Sequence, residues 1–251
     1  MRVERTTMGM PAIVEVIHPD NDRVITTIET VFRHFDEADE RFSPFKATSE
    51  ISRLNDGSLS YNDVSDELQL VLALADETKQ ATHGVFDVYH AGQLDPSGIV
   101  KGLAIHRASR LLIKLGFNHA YVEIAGDIQV LGQTASGHPW RIGIRNPLDQ
   151  NEVVKIVTLG ANEGIATSGV SERGQHIWHP GTDESAPSDW LSLTVIGPNV
   201  YEADRFATAA FAMGREGITF IENLPGCEGY AIDPNGIATM TSGFFKYVIQ
   251  S

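Results

Sequence analysis

Tyr121-Val122-Glu123-Ile124-Ala125-Gly126-Asp127-Ile128-Gln129-Val130-Leu131 is where the character of the chain changes. Apolar and β-branched residues crowd both ends, and Ala125-Gly126 interrupts the middle, so the stretch reads as two short strands joined by a turn. Strand-like runs continue at residues 140–144, 153–159 and 191–196, separated by Gly, Pro and Asn. Upstream the spacing is helical. Val24, Ile28, Val31, Phe32 and Phe35 mark an amphipathic helix over residues 22–42. Pro44 breaks that pattern, and residues 49–55 form a short second helix. Ser65 is a suitable N-cap, with Asp66 and Glu67 in the first turn, Leu68, Val71, Leu72 and Ala75 as the buried stripe, and Gly84 as the stop. Residues 103–115 make the next helix, ended by Gly116. Helix returns at 203–213 and 216–224, and a hairpin over 229–241 turns at Asp233-Pro234-Asn235-Gly236. A strand at 12–17 opens the order. Helices, then strands, then helices again predict an α+β protein, with mixed or antiparallel sheets flanked by helices. No repeat or linker divides residues 1–251, which read as one unit.

Composition narrows the function. The 251 residues carry 19 Lys and Arg against 33 Asp and Glu, a formal charge of −14, which disfavours a partner gripped through phosphate neutralisation, such as nucleic acid. No run of 18 apolar residues offers a membrane span. The first residues show neither a secretory signal nor a lipidation cysteine, so the expected compartment is the cytoplasm, or an exported location if a leader has been removed. A single cysteine, Cys227, excludes an internal disulfide.

Two stretches hold chemistry. Asp95-Pro96-Ser97-Gly98-Ile99-Val100-Lys101-Gly102 places an acid, two glycines and a lysine just ahead of the predicted 103–115 helix. Glycines let backbone approach a ligand, and a helix start favours an anion; an ordinary loop has the same composition. In Ala203-Asp204-Arg205-Phe206-Ala207-Thr208-Ala209, Asp204 and Thr208 lie one helical turn apart on one face. Carboxylate and hydroxyl together suit Mg²⁺, whereas the alternative is a helix start with a capping acid and a buried threonine. His176-Ile177-Trp178-His179 precedes Pro180-Gly181 without further metal ligands nearby, which favours a hydrogen-bonded or acid–base histidine over a zinc site. Ala166-Thr167-Ser168-Gly169 reads as a hydroxyl-lined turn touching a ligand or as a plain loop. No P-loop and no dinucleotide-binding glycine fingerprint is present.

In this order the segments resemble the ApbE family, the FAD:protein FMN transferases. Arg41-Phe42-Ser43 with Ser49-Glu50-Ile51-Ser52-Arg53-Leu54-Asn55 is similar to R-F-S…S-E-[IL]-S-R-L-N, and Gly84-Val85-Phe86-Asp87-Val88 to G-x-F-D-[VP]-T. The stretch from Asp95 to Gly102 is similar to D-x-G-G-I-A-K-G, Ala125-Gly126-Asp127-Ile128 to G-G-[DN]-[IV], Ile165-Ala166-Thr167-Ser168-Gly169 to [IV]-A-T-S-G, and the Asp204 helix to A-D-A-x-A-T-A. The resemblance implies a single ApbE-like (T-fold-like) domain. It implies Mg²⁺-dependent transfer of FMN from FAD to a threonine hydroxyl of an acceptor flavoprotein, with release of AMP. By the same resemblance Asp204, Thr208 and the Gly98 carbonyl hold the metal. Met8, Val85, Phe86, Asp87, Asp95, Lys101, Thr167 and Trp178 contact FAD, Phe45 stands where many members have a flavin-side tyrosine, and His176 activates the acceptor hydroxyl. The chain departs from the family where His179 replaces an aspartate and Ser97-Gly98 replaces a glycine pair. A FAD pyrophosphatase giving FMN and AMP, and a non-catalytic flavin-holding module, remain alternatives on the sequence.

Overall fold

Helical stripes become buried faces in the computed structural model, which describes residues 1–169 and 189–249. Helix α1 (Asn21–Phe42) starts at Asp20, whose side chain accepts the Arg23 N–H, and all five stripe residues read from the sequence are buried. Helix α2 (Glu50–Asn55) follows, capped by Ser49. Ser65 caps α3 (Asp66–Ala81) by accepting the Leu68 N–H. Leu68, Val71 and Ala75 are buried there while Leu72 is half-buried. Gly84, at φ +86, sends its N–H back to the Lys79 carbonyl and stops the coil.

Helix α4 corrects the sequence reading. It runs Ser97–Lys114, so the glycine-bearing stretch forms its first turns and is not a loop before it. Two glycines lower helix propensity by roughly 1 kcal/mol each, which hides the start from a propensity argument. Packing decides otherwise. A Cβ on Gly102 would lie 2.7 Å from Asp204 Cβ and 3.1 Å from the Val200 carbonyl oxygen, so a neighbouring helix occupies the space a side chain would need.

That neighbour is α5 (Val200–Ala212), followed by α6 (Glu216–Glu222). Asn199 caps α5 through the Glu202 N–H, and the buried Gln129 side chain accepts the Val200 N–H at 2.9 Å. Arg205 fastens α5 to α3. Its guanidinium pairs with Glu202 at 2.7 Å and Glu77 at 3.1 Å, donates to the Thr78 hydroxyl, and lies over the rings of Tyr201 and Phe206. Because Glu77 is largely exposed and can be resolvated, Arg205→Ala should destabilise by about 2–3 kcal/mol rather than the larger cost of a fully buried pair. Urea unfolding monitored by circular dichroism measures this.

Strands β1 (Arg2–Thr7), β2 (Met10–Val16), β5 (Ala120–Ile124), β6 (Asp127–Leu131), β9 (Gly164–Gly169), β10 (Ser192–Gly197), β11 (Glu228–Ile232) and β12 (Ala238–Met240) form an eight-stranded sheet in that spatial order. Every pairing in it is antiparallel. Two small hairpins, β3 (Tyr89–His90) with β4 (Gln93–Leu94) and β7 (Trp140–Asn146) with β8 (Asp149–Leu159), complete the strands among the described residues. Positive φ at Met8-Gly9 and at Ala125-Gly126 gives the two-residue turns that join β1 to β2 and β5 to β6.

Strand alternation then sorts side chains to two faces. Tyr121, Ile128, Val130, Ile165, Ile196, Tyr230 and Ile232 meet Trp140, Ile142, Val157 and Leu159 of the β7–β8 hairpin. On the opposite face, Val14, Val122 and Ile124 pack with α1, α3 and α4, while Leu193, Val195 and Ala231 pack under α5. The lone Cys227 belongs to this last cluster, and burial pushes its thiol up to about 11, so it packs rather than reacts. Among the described residues no helix is long and apolar enough to cross a membrane.

The short β3 and β4 escape the sequence reading, and so do two strands of the large sheet. β1 is a polar edge strand whose Arg2, Glu4 and Arg5 lack an apolar face. β9 contains the Ala166–Gly169 stretch that reads as a turn or loop, yet Ala166, Thr167 and Ser168 pair with Val195, Thr194 and Leu193 of β10. Gly164 is required where β9 passes the start of α5, because a Cβ there would lie 2.0 Å from the Val200 nitrogen.

Candidate active site

The crossing of α4 over α5 gathers the polar core of the molecule. Small residues permit it: Gly102 faces Asp204, and a Cβ on Gly98 would lie 3.5 Å from the Thr208 methyl and 2.9 Å from the Phe86 ring. Gly98, Asp204 and Thr208 therefore lie on facing surfaces of two helices. The Gly102 N–H donates to Asp204 Oδ2 at 2.8 Å, and Asp204 Oδ1 faces the Lys101 ammonium at 3.8 Å. Asp204 is 4% exposed and Lys101 8% exposed, so this is an interior ion pair and not a surface one.

Asp127 is the residue that sequence reasoning left out. The tight Ala125-Gly126 turn sets it at the first position of β6, fully buried. Its Oδ2 lies 2.5 Å from Lys101 Nζ, and its Oδ1 accepts the Thr167 backbone N–H at 3.1 Å. The signal was present in the matched Ala125–Ile128 stretch, but the partner comes from a different element, and spacing along the chain does not reveal it. The Thr167 hydroxyl shares a hydrogen bond with Thr194 at 2.8 Å, and Ser168 reaches the Thr208 hydroxyl at 3.3 Å. The strand β9 thus lines the same cluster.

The other expected residues are spread around this centre. Phe86 is buried, its N–H held by the Thr82 hydroxyl, and its ring covers Gly98. Val85 is half-buried beside it. Asp87 is exposed, pairs with Lys79 at 2.7 Å and accepts the Tyr89 N–H. Asp95 is exposed just ahead of α4 and accepts the Ser97 N–H at 2.9 Å. Met8 occupies the β1–β2 turn at φ +51, half-buried against the helix-side core. Phe45 is 92% exposed in a loop pinned at its base, where Ser49 donates to the Ser43 carbonyl and Ser52 to the Pro44 carbonyl. These contacts of Asp87, Asp95, Met8 and Phe45 are with residues other than Lys101, Asp127 and Asp204. His176 and Trp178 lie outside the described residues.

Chemically the centre is a set of oxygens around one buried ammonium. On the α5 side of the crossing Asp204 and Thr208 offer a carboxylate and a hydroxyl, which match a hard cation such as Mg²⁺. Among the described residues, no three His, Cys, Asp or Glu side chains are grouped to hold a metal on their own. A Mg²⁺ ion here would draw on one carboxylate, a hydroxyl and a backbone carbonyl, with water or ligand oxygens completing its shell.

Comparison with known proteins gives the family and the fold. A FAD:protein FMN transferase of Vibrio cholerae is 34% identical over 167 residues, covering 63% of this chain and 48% of the relative. One from Escherichia coli strain K12 is 29% identical over 168 residues, again 63% and 48%. The chain spans about half the length of these curated relatives. The solved flavin transferase ApbE from Vibrio cholerae superposes with a TM-score of 0.83 at 22% identity, over 98% of this chain and 99% of that one. The ApbE protein of Thermotoga maritima gives 0.86 at 20% identity, over 100% and 99%. These two likenesses establish the fold. The ApbE family itself matches residues 8–92 and 89–231, a span that takes in α1, the α4–α5 crossing and the large sheet between its two edge strands, and the chain belongs to that family.

Proposed function

We propose that this protein, acting as one domain over residues 1–251, transfers FMN from FAD to a threonine hydroxyl of an acceptor flavoprotein and releases AMP. The observation that carries the reading is the buried Lys101 held between Asp127 and Asp204 where Gly98 meets Thr208. A diphosphate needs its charge compensated and its phosphorus held in line far more than it needs a covalent intermediate. The names of the relatives, FAD:protein FMN transferases, point to the same substrate pair.

In the reaction the acceptor oxygen forms a bond to the FMN-side phosphorus while the bond from that phosphorus to the bridging oxygen breaks. AMP departs with the bridging oxygen. Lys101 offers its ammonium to the charge that develops on the diphosphate. Phe86, fixed by Thr82 and laid across Gly98, provides an apolar wall beside the site, and the exposed Phe45 offers a second aromatic face for the flavin. Asp204, Thr208 and the Gly98 carbonyl would hold Mg²⁺, which when bound supplies Lewis-acid charge stabilisation to phosphate oxygens. The resemblance assigns the acceptor proton to His176.

Incubation with FAD and Mg²⁺, with and without an acceptor flavoprotein domain, tests the reading. A mass gain of one FMN on the acceptor threonine with matching AMP supports it. Free FMN released equally in both tubes indicates a pyrophosphatase instead, and FAD that stays intact indicates a holding module. His176→Ala should lower turnover by about 10²–10⁴-fold, the range for a lost general base, with FAD affinity little changed. Equal losses in turnover and in FAD affinity would remove the base assignment.

A further inference from the structure

The Lys101 ammonium occupies an unusual position for a lysine. It is buried, and two carboxylates from different elements approach it, Asp127 at 2.5 Å and Asp204 at 3.8 Å. The distances are unequal for a structural reason. Asp127 is fixed by the Thr167 N–H, and Asp204 has its Oδ2 engaged by the Gly102 N–H, so the oxygen turned to Lys101 is Oδ1. Together the three side chains carry one net negative charge.

We propose that Lys101 is the resident cation of the Asp204 site, parked there by Asp127, and that a divalent ion binds tightly only when a diphosphate arrives to take over the ammonium. Asp127 is a positioning residue in this scheme. The proposal rests on the reading of Asp204 as a cation ligand. A divalent ion added alone would place like charges near one another in a poorly solvated interior and turn the trio net positive. A diphosphate restores the balance, so ion and dinucleotide strengthen each other's binding reciprocally.

Mn²⁺ binding, followed by electron paramagnetic resonance and calorimetry on the whole chain, separates this from a merely structural pair. Wild-type protein should bind Mn²⁺ weakly alone and more tightly with ADP, a diphosphate probe. Lys101→Met removes the competing charge, so Mn²⁺ alone should bind about tenfold or more tightly than to wild type, and the gain from ADP should shrink. Asp127→Asn leaves the ammonium to Asp204, so Mn²⁺ binding should weaken. A structural role would weaken both variants alike. If Lys101→Met does not fold, the double variant with Asp127→Asn replaces it, and it should bind Mn²⁺ about tenfold more tightly than Asp127→Asn alone. Unchanged or weaker Mn²⁺ binding in a folded lysine variant overturns the proposal. Wild-type protein that takes up no Mn²⁺ with or without ADP overturns the cation reading of Asp204 itself, and the proposal with it.

Discussion

Asp204→Asn should lower Mg²⁺-dependent flavin transfer by more than about a hundredfold, beyond the 10–100-fold typical of residues that only support a metal ligand. The fold should survive. The asparagine side chain still offers an oxygen to the Gly102 N–H, and Lys101 keeps Asp127 at 2.5 Å, so no isolated buried charge is created. The cost is a weaker hydrogen bond and one lost attraction, about 1–3 kcal/mol. Asp204 is only 4% exposed, and a buried carboxylate cannot be altered without some loss. Turnover across a Mg²⁺ titration, with a thermal melt for each variant, measures both effects. Wild-type turnover at limiting Mg²⁺ would contradict the ligand role.

Gly102→Ala separates packing from chemistry. Helix propensity alone favours alanine by about 1 kcal/mol. The new methyl would nevertheless meet Asp204 Cβ at 2.7 Å and the Val200 carbonyl oxygen at 3.1 Å, atoms that shift only if α5 shifts. Overpacking of this kind costs about 1–3 kcal/mol, so the balance is a net loss of up to about 2 kcal/mol. Activity should fall further than stability suggests. Displacing Asp204 by about 1 Å, with no change in its chemistry, is enough to slow a positioned reaction about a hundredfold. Turnover within about twofold of wild type, together with an unchanged melting temperature, would show that this crossing does not register the site.

Legibility followed the range of the interactions. α1 and α3 were readable because their burial stripes and caps are local, as the Ser65 cap and the Leu68, Val71 and Ala75 stripe illustrate. The start of α4 was not, because Gly98 and Gly102 are there for the approach of Phe86, Asp204 and Thr208, which lie elsewhere in the chain. β9 looked like a loop because Thr167, Ser168 and Gly169 give no apolar alternation; its partners, β10 and the underside of α5, supply the reason. At the α4–α5 crossing, one-turn spacing puts Asp204 and Thr208 on a shared helix face. The place of Asp127 is not legible that way, since it depends on Lys101 reaching it from α4.

A crystal structure of the protein with FAD and Mg²⁺ bears most directly on the central claim. The expected result is a cation with Asp204, Thr208 and the Gly98 carbonyl among its ligands, at about 2.1 Å, bridging to the FAD diphosphate, with Lys101 turned toward a phosphate oxygen. FAD bound with its phosphates away from the α4–α5 crossing, and no cation beside Asp204, would contradict it.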